Sequence, residues 1–219
     1  MQDAARAIIS FTDSQAYKKD RKQNEQPESE SSDSPIEIAA YLEYLRNKLI
    51  NNNAIKQMIK NHNLLQSITL LTIFKLNNHS NQKVDRLRFN VRHNSRWCLN
   101  WIKIYGDAQD FADLVNVGYG KVICISLSTA GGIGEEEDDE IRNGLNNIYW
   151  FLKEQHEGRN WYSSFQPLPF LVRQTEEQIE EEGAIEEIEA LMNNGYDIDI
   201  KFMANGAKTE TLNHFIHNN

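Results

Sequence analysis

Residues 86–92 read R-L-R-F-N-V-R, in which charged or polar side chains alternate with apolar ones. Successive side chains of a β-strand point to opposite faces, so Leu87, Phe89 and Val91 would lie together on one face. The residues that would line the other face are Arg86, Arg88, Asn90 and Arg92. Because strands of buried parallel sheets are apolar on both sides, this alternation predicts an antiparallel sheet with one solvent-exposed face.

Three neighbouring segments extend this predicted sheet. Residues 67–76 are apolar on both faces and rich in β-branched side chains, residues 97–105 are aromatic and apolar, and residues 121–127 form another apolar run. β-Branched and aromatic residues are enriched in strands. The sequence therefore predicts an α+β fold, with a mostly antiparallel central sheet within residues 67–128.

Helical patterns flank the predicted sheet on both sides. On the N-terminal side, Ser34 and Glu37 form a capping box, and apolar residues follow at helical spacing over residues 38–49. Four more helices are predicted on the C-terminal side. The first begins at Asp107, which would cap it, and the second carries an apolar stripe over residues 141–152. The third begins at a second capping box at Thr175, and the fourth covers residues 184–192. The fold class is thus N-terminal helices, a central sheet and C-terminal helices.

The polar N-terminal stretch differs from the rest in composition. Residues 18–34 contain no aliphatic or aromatic side chain, so they cannot bury enough apolar area to offset the entropy cost of ordering. We therefore expect residues 1–34 to form a flexible polar arm, in which residues 18–34 are a disordered linker and residues 1–16 allow a short helix anchored by Ile8, Ile9 and Phe11. Residues 35–182 are expected to form the α+β domain, and residues 183–219 a helical cap packed on it.

The overall charge and the cysteine content limit the classes of function. The chain has 219 residues, with 32 Asp and Glu against 23 Lys and Arg, which gives a formal net charge of -9. This balance argues against broad nucleic-acid binding because phosphates are repelled, whereas it suits a basic protein partner. With two cysteines, no leader-like start and no apolar run of about 20 residues, the sequence predicts a cytoplasmic protein that does not engage a membrane.

Basic side chains cluster around the alternating segment. The fourteen residues from Lys83 to Arg96 contain one acid, Asp85. The candidate anion-binding residues are Arg86, Arg88, Arg92 and Arg96. One interpretation is a site for phosphate, RNA or an acidic peptide. The other is a solvated sheet face that pairs with the acidic runs of the chain itself.

Two acidic clusters are the predicted partner-binding surfaces. The second cluster lies within residues 176–189, and the first consists of six consecutive acids: Glu135, Glu136, Glu137, Asp138, Asp139 and Glu140. A concentrated negative field speeds encounter with a basic partner. No motif requires a cofactor, so none is predicted.

A third candidate lies near the C-terminus. Asp197, Asp199 and Lys201 alternate with apolar residues, so a strand would place all three on one face. The order resembles the motif of metal-dependent nucleases, in which two carboxylates hold Mg²⁺ and a lysine orients water. The alternative is a half-buried edge strand, and because no earlier strand supplies the first acid of that motif, we expect neither a metal site nor a catalytic centre here.

The cysteines give no catalytic signature. Cys98 and Cys124 both fall in apolar segments, where cysteine is usually a small core residue. Although His93 lies near Cys98 in the sequence, we therefore do not expect a thiol enzyme built on this pair.

The segment 183–214 resembles part of the ankyrin repeat. A helix ending in Leu191 and Met192 is followed by a turn that begins at Gly195, as the family pattern requires. The other matching positions are Asp197, Ile198, Gly206, Thr209, Leu212 and His214. The resemblance covers about 30 residues, with Tyr196 where the family has alanine, and it implies a protein-binding unit that caps the preceding domain. A helix–turn–strand–helix within the α+β domain would explain the same residues.

These observations favour a non-enzymatic protein-binding protein, such as an inhibitor, an immunity-type protein or an adaptor. Its acidic surfaces would engage a basic partner. The alternatives are a metal-dependent nuclease or other hydrolase built on Asp197, Asp199 and Lys201, and an RNA- or phosphate-binding module that uses the arginines of residues 86–96.

Overall fold

The computed structural model of the chain describes residues 1–21, 33–50, 55–75, 80–128, 138–193 and 198–216. These residues form eleven α-helices and no β-sheet, and their one extended pairing is an isolated antiparallel bridge between Arg159 and Phe165. The predicted α+β class with a central antiparallel sheet is therefore wrong. Over the described ranges the protein is all-α.

The chain divides into two compact units, Met1–Ile104 and Tyr105–Asn219. The helices of the first unit are α1 (Gln2–Arg21), α2 (Asp33–Ile50), α3 (Ile55–Ile59), α4 (His62–Leu71) and α5 (Gln82–Tyr105), whose last residue belongs to the second unit. Those of the second are α6 (Ala108–Asn116), α7 (Tyr119–Ser128), α8 (Asp138–Glu157), α9 (Pro169–Glu181), α10 (Ala184–Asn193) and α11 (Ile198–Ile216). None of these helices is long and apolar enough to span a lipid bilayer.

The alternating segment 86–92 lies inside α5. Over the full helix, the buried residues recur every three or four positions, which is the period of an α-helix. They include Arg88, Val91, Arg92, Ser95, Cys98, Leu99 and Ile102. Alternation over seven residues covers only two helical turns, and of its three apolar members Val91 alone is buried. The residues of 97–105, predicted as a separate strand, continue the same helix.

The other two predicted strands are not strands either: one is helical, and the other is helical over residues 67–71 and a turn over residues 72–75, with residue 76 outside the described residues. Residues 67–71 belong to α4, where Leu64, Leu65, Ile68 and Leu71 are buried at helical spacing. Residues 121–127 belong to α7, in which Tyr119, Val122, Ile123 and Leu127 are buried. Strand propensity reflects how well a side chain packs on a half-buried surface, so burial inside a helical unit overrides it here.

Several predicted helices are confirmed. The buried residues Ile38, Leu42, Leu45 and Leu49 lie in α2, and the predicted stripe over residues 141–152 is buried in α8. The Asp107 side chain accepts hydrogen bonds from the backbone N–H groups of Gln109 and Asp110, at 3.0 and 3.2 Å, and so caps α6. In α6 the predicted cap is confirmed, and in α2 and α8 the apolar spacing agrees with the packing, whereas the predicted cap Ser34 lies inside α2.

The N-terminal arm is ordered where the structure describes it. Ala4, Ile8 and Phe11 of α1 are buried, and the Phe11 ring packs edge-on against Phe74 with centroids 5.5 Å apart. The prediction of a disordered N-terminus is therefore wrong, because three apolar side chains at helical spacing suffice to pack α1 against α2 and α4. Residues 22–32 of the predicted linker lie outside the described residues.

The acidic helix α9 begins earlier than predicted. Pro169 takes the first helical position, where the backbone N–H that proline lacks would have no partner within the helix. Thr175, predicted as the N-cap, is fully buried in mid-helix and donates a hydrogen bond to Gln155 Oε1 at 3.0 Å. Its hydroxyl therefore joins α9 to α8.

Two arginines of α5 close the C-terminal end of α4. The Arg92 guanidinium donates to the backbone carbonyl of Phe74 at 3.3 Å, and that of Arg96 donates to the carbonyl of Thr72 at 3.1 Å. The carbonyls at the end of a helix have no partner within the helix, and the negative end of its dipole favours cations. These arginines therefore hold the first unit together.

The second unit is built around α8. This helix contacts α7, α9 and α11, and its Phe151 ring stacks on Phe111 of α6 at 5.2 Å between centroids. Tyr119 of α7 packs edge-on against the same ring at 4.9 Å. Aromatic pairs of this geometry contribute more than their buried area alone. The C-terminal end of α8 is thereby fixed in place for the loop that follows it.

We expect Arg92→Met to lower the free energy of unfolding by about 1–3 kcal/mol, because the substitution leaves the buried Phe74 carbonyl, in the turn that follows α4, without this donor. Arg86→Met, on the exposed side of the same helix, is the matched control and should cost less than about 1 kcal/mol. Urea denaturation of both variants measures the difference. Equal costs would show that Arg92 does not serve the end of α4.

Candidate functional site

The loop that follows α8 has a tightly constrained backbone. Gly158 takes a φ of +77°, and a Cβ at this position would lie 2.7 Å from the Phe165 carbonyl oxygen and 2.9 Å from the Pro167 nitrogen. Only glycine fits such a position without strain. The loop then doubles back, because the Arg159 N–H donates to the Phe165 carbonyl at 2.8 Å and the Phe165 N–H donates to the Arg159 carbonyl at 2.9 Å.

The Arg159 side chain is wholly buried inside this loop. Its guanidinium lies 3.4 Å from the Glu154 carboxylate, and the two side chains are 0% and 6% exposed. It also donates to the carbonyl of Ser163 from Nε and one Nη, at 3.2 and 3.0 Å, and to the carbonyl of Gly106. Burial lowers the pKa of Arg159, and the neighbouring Glu154 opposes that shift. The guanidinium stays charged, since its pKa starts far above neutrality.

Aromatic rings surround the same guanidinium. The central carbon of the Arg159 guanidinium lies 4.7 Å from the ring centroid of Phe165, 5.2 Å from that of Trp161 and 5.5 Å from that of Phe111. Cations are attracted to aromatic faces at these distances. Arg159 therefore orients Trp161, whose side chain remains 42% exposed at the surface.

A cleft of about 290 Å³ opens between this loop and the last two turns of α8. Trp150, Lys153, Glu154 and Glu157 line one side, at the i, i+3, i+4 and i+7 positions that share one helix face. Trp161 and other loop residues line the opposite side. The cleft thus combines two exposed tryptophans with charged side chains of both signs.

The predicted anion-binding arginines do not form one exposed row. Arg86 is exposed and lies over the Phe89 ring at 5.2 Å, whereas Arg88 and Arg92 are 6% and 4% exposed. Arg88 contacts Asp85 at 3.4 Å, and Arg92 and Arg96 bind the carbonyls at the end of α4. Helical spacing of four residues brings Arg88, Arg92 and Arg96 to one side of α5, and Arg86 to another.

The last three residues of the first acidic cluster form the first turn of α8. Asp138 and Asp139 are exposed in its first turn, Asp139 contacts Arg142 at 2.8 Å, and Glu140 is buried. Acids stabilise the positive end of a helix dipole. Glu135, Glu136 and Glu137 lie outside the described residues.

The proposed nuclease trio is not aligned on a strand. Residues 198–202, predicted to be extended, begin α11, and Asp197 lies outside the described residues. In a helix, residues two positions apart are rotated by about 200°, so Asp199 and Lys201 point to different sides. Among the residues that the structure describes, no three of His, Cys, Asp and Glu gather as metal ligands.

The ankyrin-like segment forms two helices in contact, α10 and α11. α10 agrees with the predicted helix over residues 184–192. Gly206 lies within α11 close to the Tyr149 ring, whereas the family pattern places a glycine in a turn. Compared with protein-family models, with curated proteins and with solved structures, the chain matches none of them.

Sequence reasoning missed the residues around Arg159. Their local signal is the R-N-W-Y run directly after Gly158, between two helices. Tryptophan, tyrosine and arginine are the residues most enriched in binding hot spots, and loops held by rigid elements often carry function. The burial of Arg159 depends on Glu154, Ser163 and Gly106, and the last of these is 53 positions away in the sequence.

We expect Glu154→Leu and Arg159→Met each to lower the free energy of unfolding by about 3–5 kcal/mol, because each leaves a buried charge unpaired. The double variant should lose less than the sum of the two. The exposed pair of Arg173 and Glu177 in α9, 79% and 59% exposed, provides the matched control, and its substitutions should cost less than about 1 kcal/mol. Additive losses in the double variant, measured by urea denaturation, would contradict a coupled pair.

The two thiols should be inert in the folded protein. Cys98 and Cys124 are buried, and burial raises the pKa of each to about 12. Since the thiolate is the reactive form, a thiol reagent at pH 8 should modify neither cysteine until urea unfolds the chain. Rapid modification of one thiol in the absence of denaturant would reopen the thiol-enzyme hypothesis.

Proposed function

We propose that this protein is a non-enzymatic protein-binding module whose second unit engages a basic partner through acidic helical surfaces. The observation that carries the proposal is a set of three exposed glutamates on α9 and α10 that form no ion pair within the described residues. The two on α9 lie where like-charge repulsion makes them locally unfavourable.

The excess of acidic over basic side chains is confined to one unit. The second unit has 22 Asp and Glu but 7 Lys and Arg, a formal charge of −15, whereas the first has 10 and 16, a formal charge of +6. A field of one sign attracts and steers oppositely charged partners. The net charge of -9 therefore understates how strongly the second unit attracts a basic segment.

Some acidic side chains of the second unit form ion pairs with its lysines, and others do not. Glu182 contacts Lys121 at 2.5 Å, and Glu189 contacts Lys208 at 2.8 Å. Glu180, Glu181 and Glu186 are exposed, and within the described part of the chain they form no ion pair. These three, which we call the glutamate face, remain available to a partner.

Two members of the glutamate face, Glu180 and Glu181, cost local stability. Glu176 and Glu180 are four residues apart on α9, as are Glu177 and Glu181, and like charges at this spacing destabilise a helix. The last turn of α9 contains no basic residue to balance the negative end of its dipole. A local conflict of this kind is expected where function overrides stability.

We infer that the protein acts in the cytoplasm. Both cysteines are free thiols, as in proteins of reducing compartments. A cytoplasmic partner with a lysine- or arginine-rich segment fits this setting.

Charge reversal separates binding from stability. Glu180→Lys combined with Glu181→Lys should raise the free energy of unfolding by about 0.5 kcal/mol, because two like-charge pairs become Glu–Lys pairs. The same variant should weaken binding of a fluorescent lysine- and arginine-rich peptide about fivefold or more. Fluorescence anisotropy across a salt series measures the affinity, which should fall as salt rises.

The control for this experiment changes the net charge equally. Glu37→Lys combined with Glu43→Lys reverses two exposed acids of α2 in the first unit. It should affect peptide binding much less. Equal weakening in both double variants would show that only net charge matters and would refute the glutamate face as the binding surface.

A further inference from the structure

The cleft beside Trp161 has a floor whose charges are already satisfied. Arg159 directs Nε, both Nη groups and its charge toward Ser163, Gly106 and Glu154 of its own chain. The guanidinium is therefore already engaged by partners of its own chain and is not positioned to bind an incoming anion. The floor is an ion pair without net charge, so the side chains of the walls and the rim determine which ligand binds.

The walls are indole rings that already lie next to cations. Lys153 Nζ lies 6.0 Å from the ring centroid of Trp150, and the guanidinium carbon of Arg159 lies 5.2 Å from that of Trp161. The two tryptophans are 40% and 42% exposed, so each ring keeps accessible surface. Guanidinium groups in particular stack on indole faces because they are planar and weakly hydrated.

The rim carries an exposed carboxylate, that of Glu157, whose side chain is 63% exposed. Its neighbour Lys153 lies 3.8 Å away and also donates a 3.0 Å hydrogen bond to the Tyr149 hydroxyl, so this lysine is shared between two groups. Since Glu154 is paired with Arg159 in the floor, Glu157 is the carboxylate that an incoming group meets. It can accept N–H donors from a cationic guest, whereas it would repel an anionic one.

The size of the cleft limits the guest to one side chain. Its volume of about 290 Å³ lies at the lower end of the range, about 300–1,000 Å³, that is typical of small-molecule sites. Asn160 and Gln166 on the loop side offer amide oxygens to a group with several N–H donors. An arginine side chain presents such donors in one plane.

We propose that this cleft binds the guanidinium group of an arginine side chain, stacked against Trp150 and Trp161 and held by the Glu157 carboxylate. The choice of an arginine from a basic protein partner rests on the proposed function. The cleft would then hold one arginine of the partner by direct contact, in the same unit as the acidic surfaces of α9 and α10.

Nuclear magnetic resonance of the full chain tests this assignment. The probe is N-acetylarginine methylamide, and its matched control is the citrulline analogue, which has nearly the same shape but no charge. The protein has four tryptophans, so each indole N–H signal reports on one site. The arginine probe should shift the signals of Trp150 and Trp161 saturably and leave those of Trp97 and Trp101 unchanged, and the citrulline analogue should shift none.

A pair of rim variants tests the role of the carboxylate. Glu157→Gln should weaken binding of the arginine probe about two- to fivefold. Glu177→Gln is the matched control, because Glu177 also forms an exposed ion pair four residues along its helix and is 59% exposed, against 63% for Glu157. Equal shifts from citrulline, no saturable shift, or equal affinities of the two variants would each overturn the proposal.

The outcome is separable from that of the proposed function. If the arginine probe fails while the basic peptide still depends on Glu180 and Glu181, the cleft assignment falls and the protein-binding proposal stands. If the probe binds while the peptide shows no dependence on those glutamates, the cleft stands and the glutamate face is refuted.

Discussion

The buried Arg159 guanidinium dictates the local structure of the second unit. A charge taken out of water is tolerated only when an opposite charge and well-placed acceptors replace its hydration. Glu154 supplies the charge from the last turns of α8, and the carbonyls of Ser163 and Gly106 supply the acceptors. The loop must therefore fold back at Gly158, where no other residue fits. One buried cation thus ties α8, the following loop and the segment before α6 to each other.

This constraint also explains why aromatic side chains reach the surface at the cleft. The Arg159 guanidinium occupies the space between Phe111, Phe165 and Trp161, so Trp161 cannot sink further into the core. Trp150 is held on α8, whose opposite side is locked by Phe151 and Leu152. Trp150 is therefore placed by its helix and Trp161 by its contact with the buried Arg159, and two rings fixed in this way meet the condition for a preorganised binding site.

The sequence predicted helices correctly where a cap marks the first residue, as Asp107 does for α6, or where apolar spacing is sustained over about three turns, as in α8. It failed at α4, α5 and α7 because short apolar or alternating windows fit both periods, and because β-branched residues suggested strands. The four-residue spacing of Arg88, Arg92 and Arg96 was visible and indicates a helix. The site around Arg159 was not predictable by pattern, because its partners are brought together only by the packing of distant segments.

In the proposed function, the acidic field and the cleft would act over different ranges and so have separate tasks. Exposed charges are screened over about 8 Å at physiological ionic strength, so the glutamates of α9 and α10 would mainly raise the rate of encounter. These exposed charges would not distinguish one basic segment from another. A recess with two indole walls is less screened and demands a planar cation of limited size, so it can distinguish arginine from lysine. Affinity for basic chains in general would then reside in α9 and α10, and selectivity among them at the end of α8.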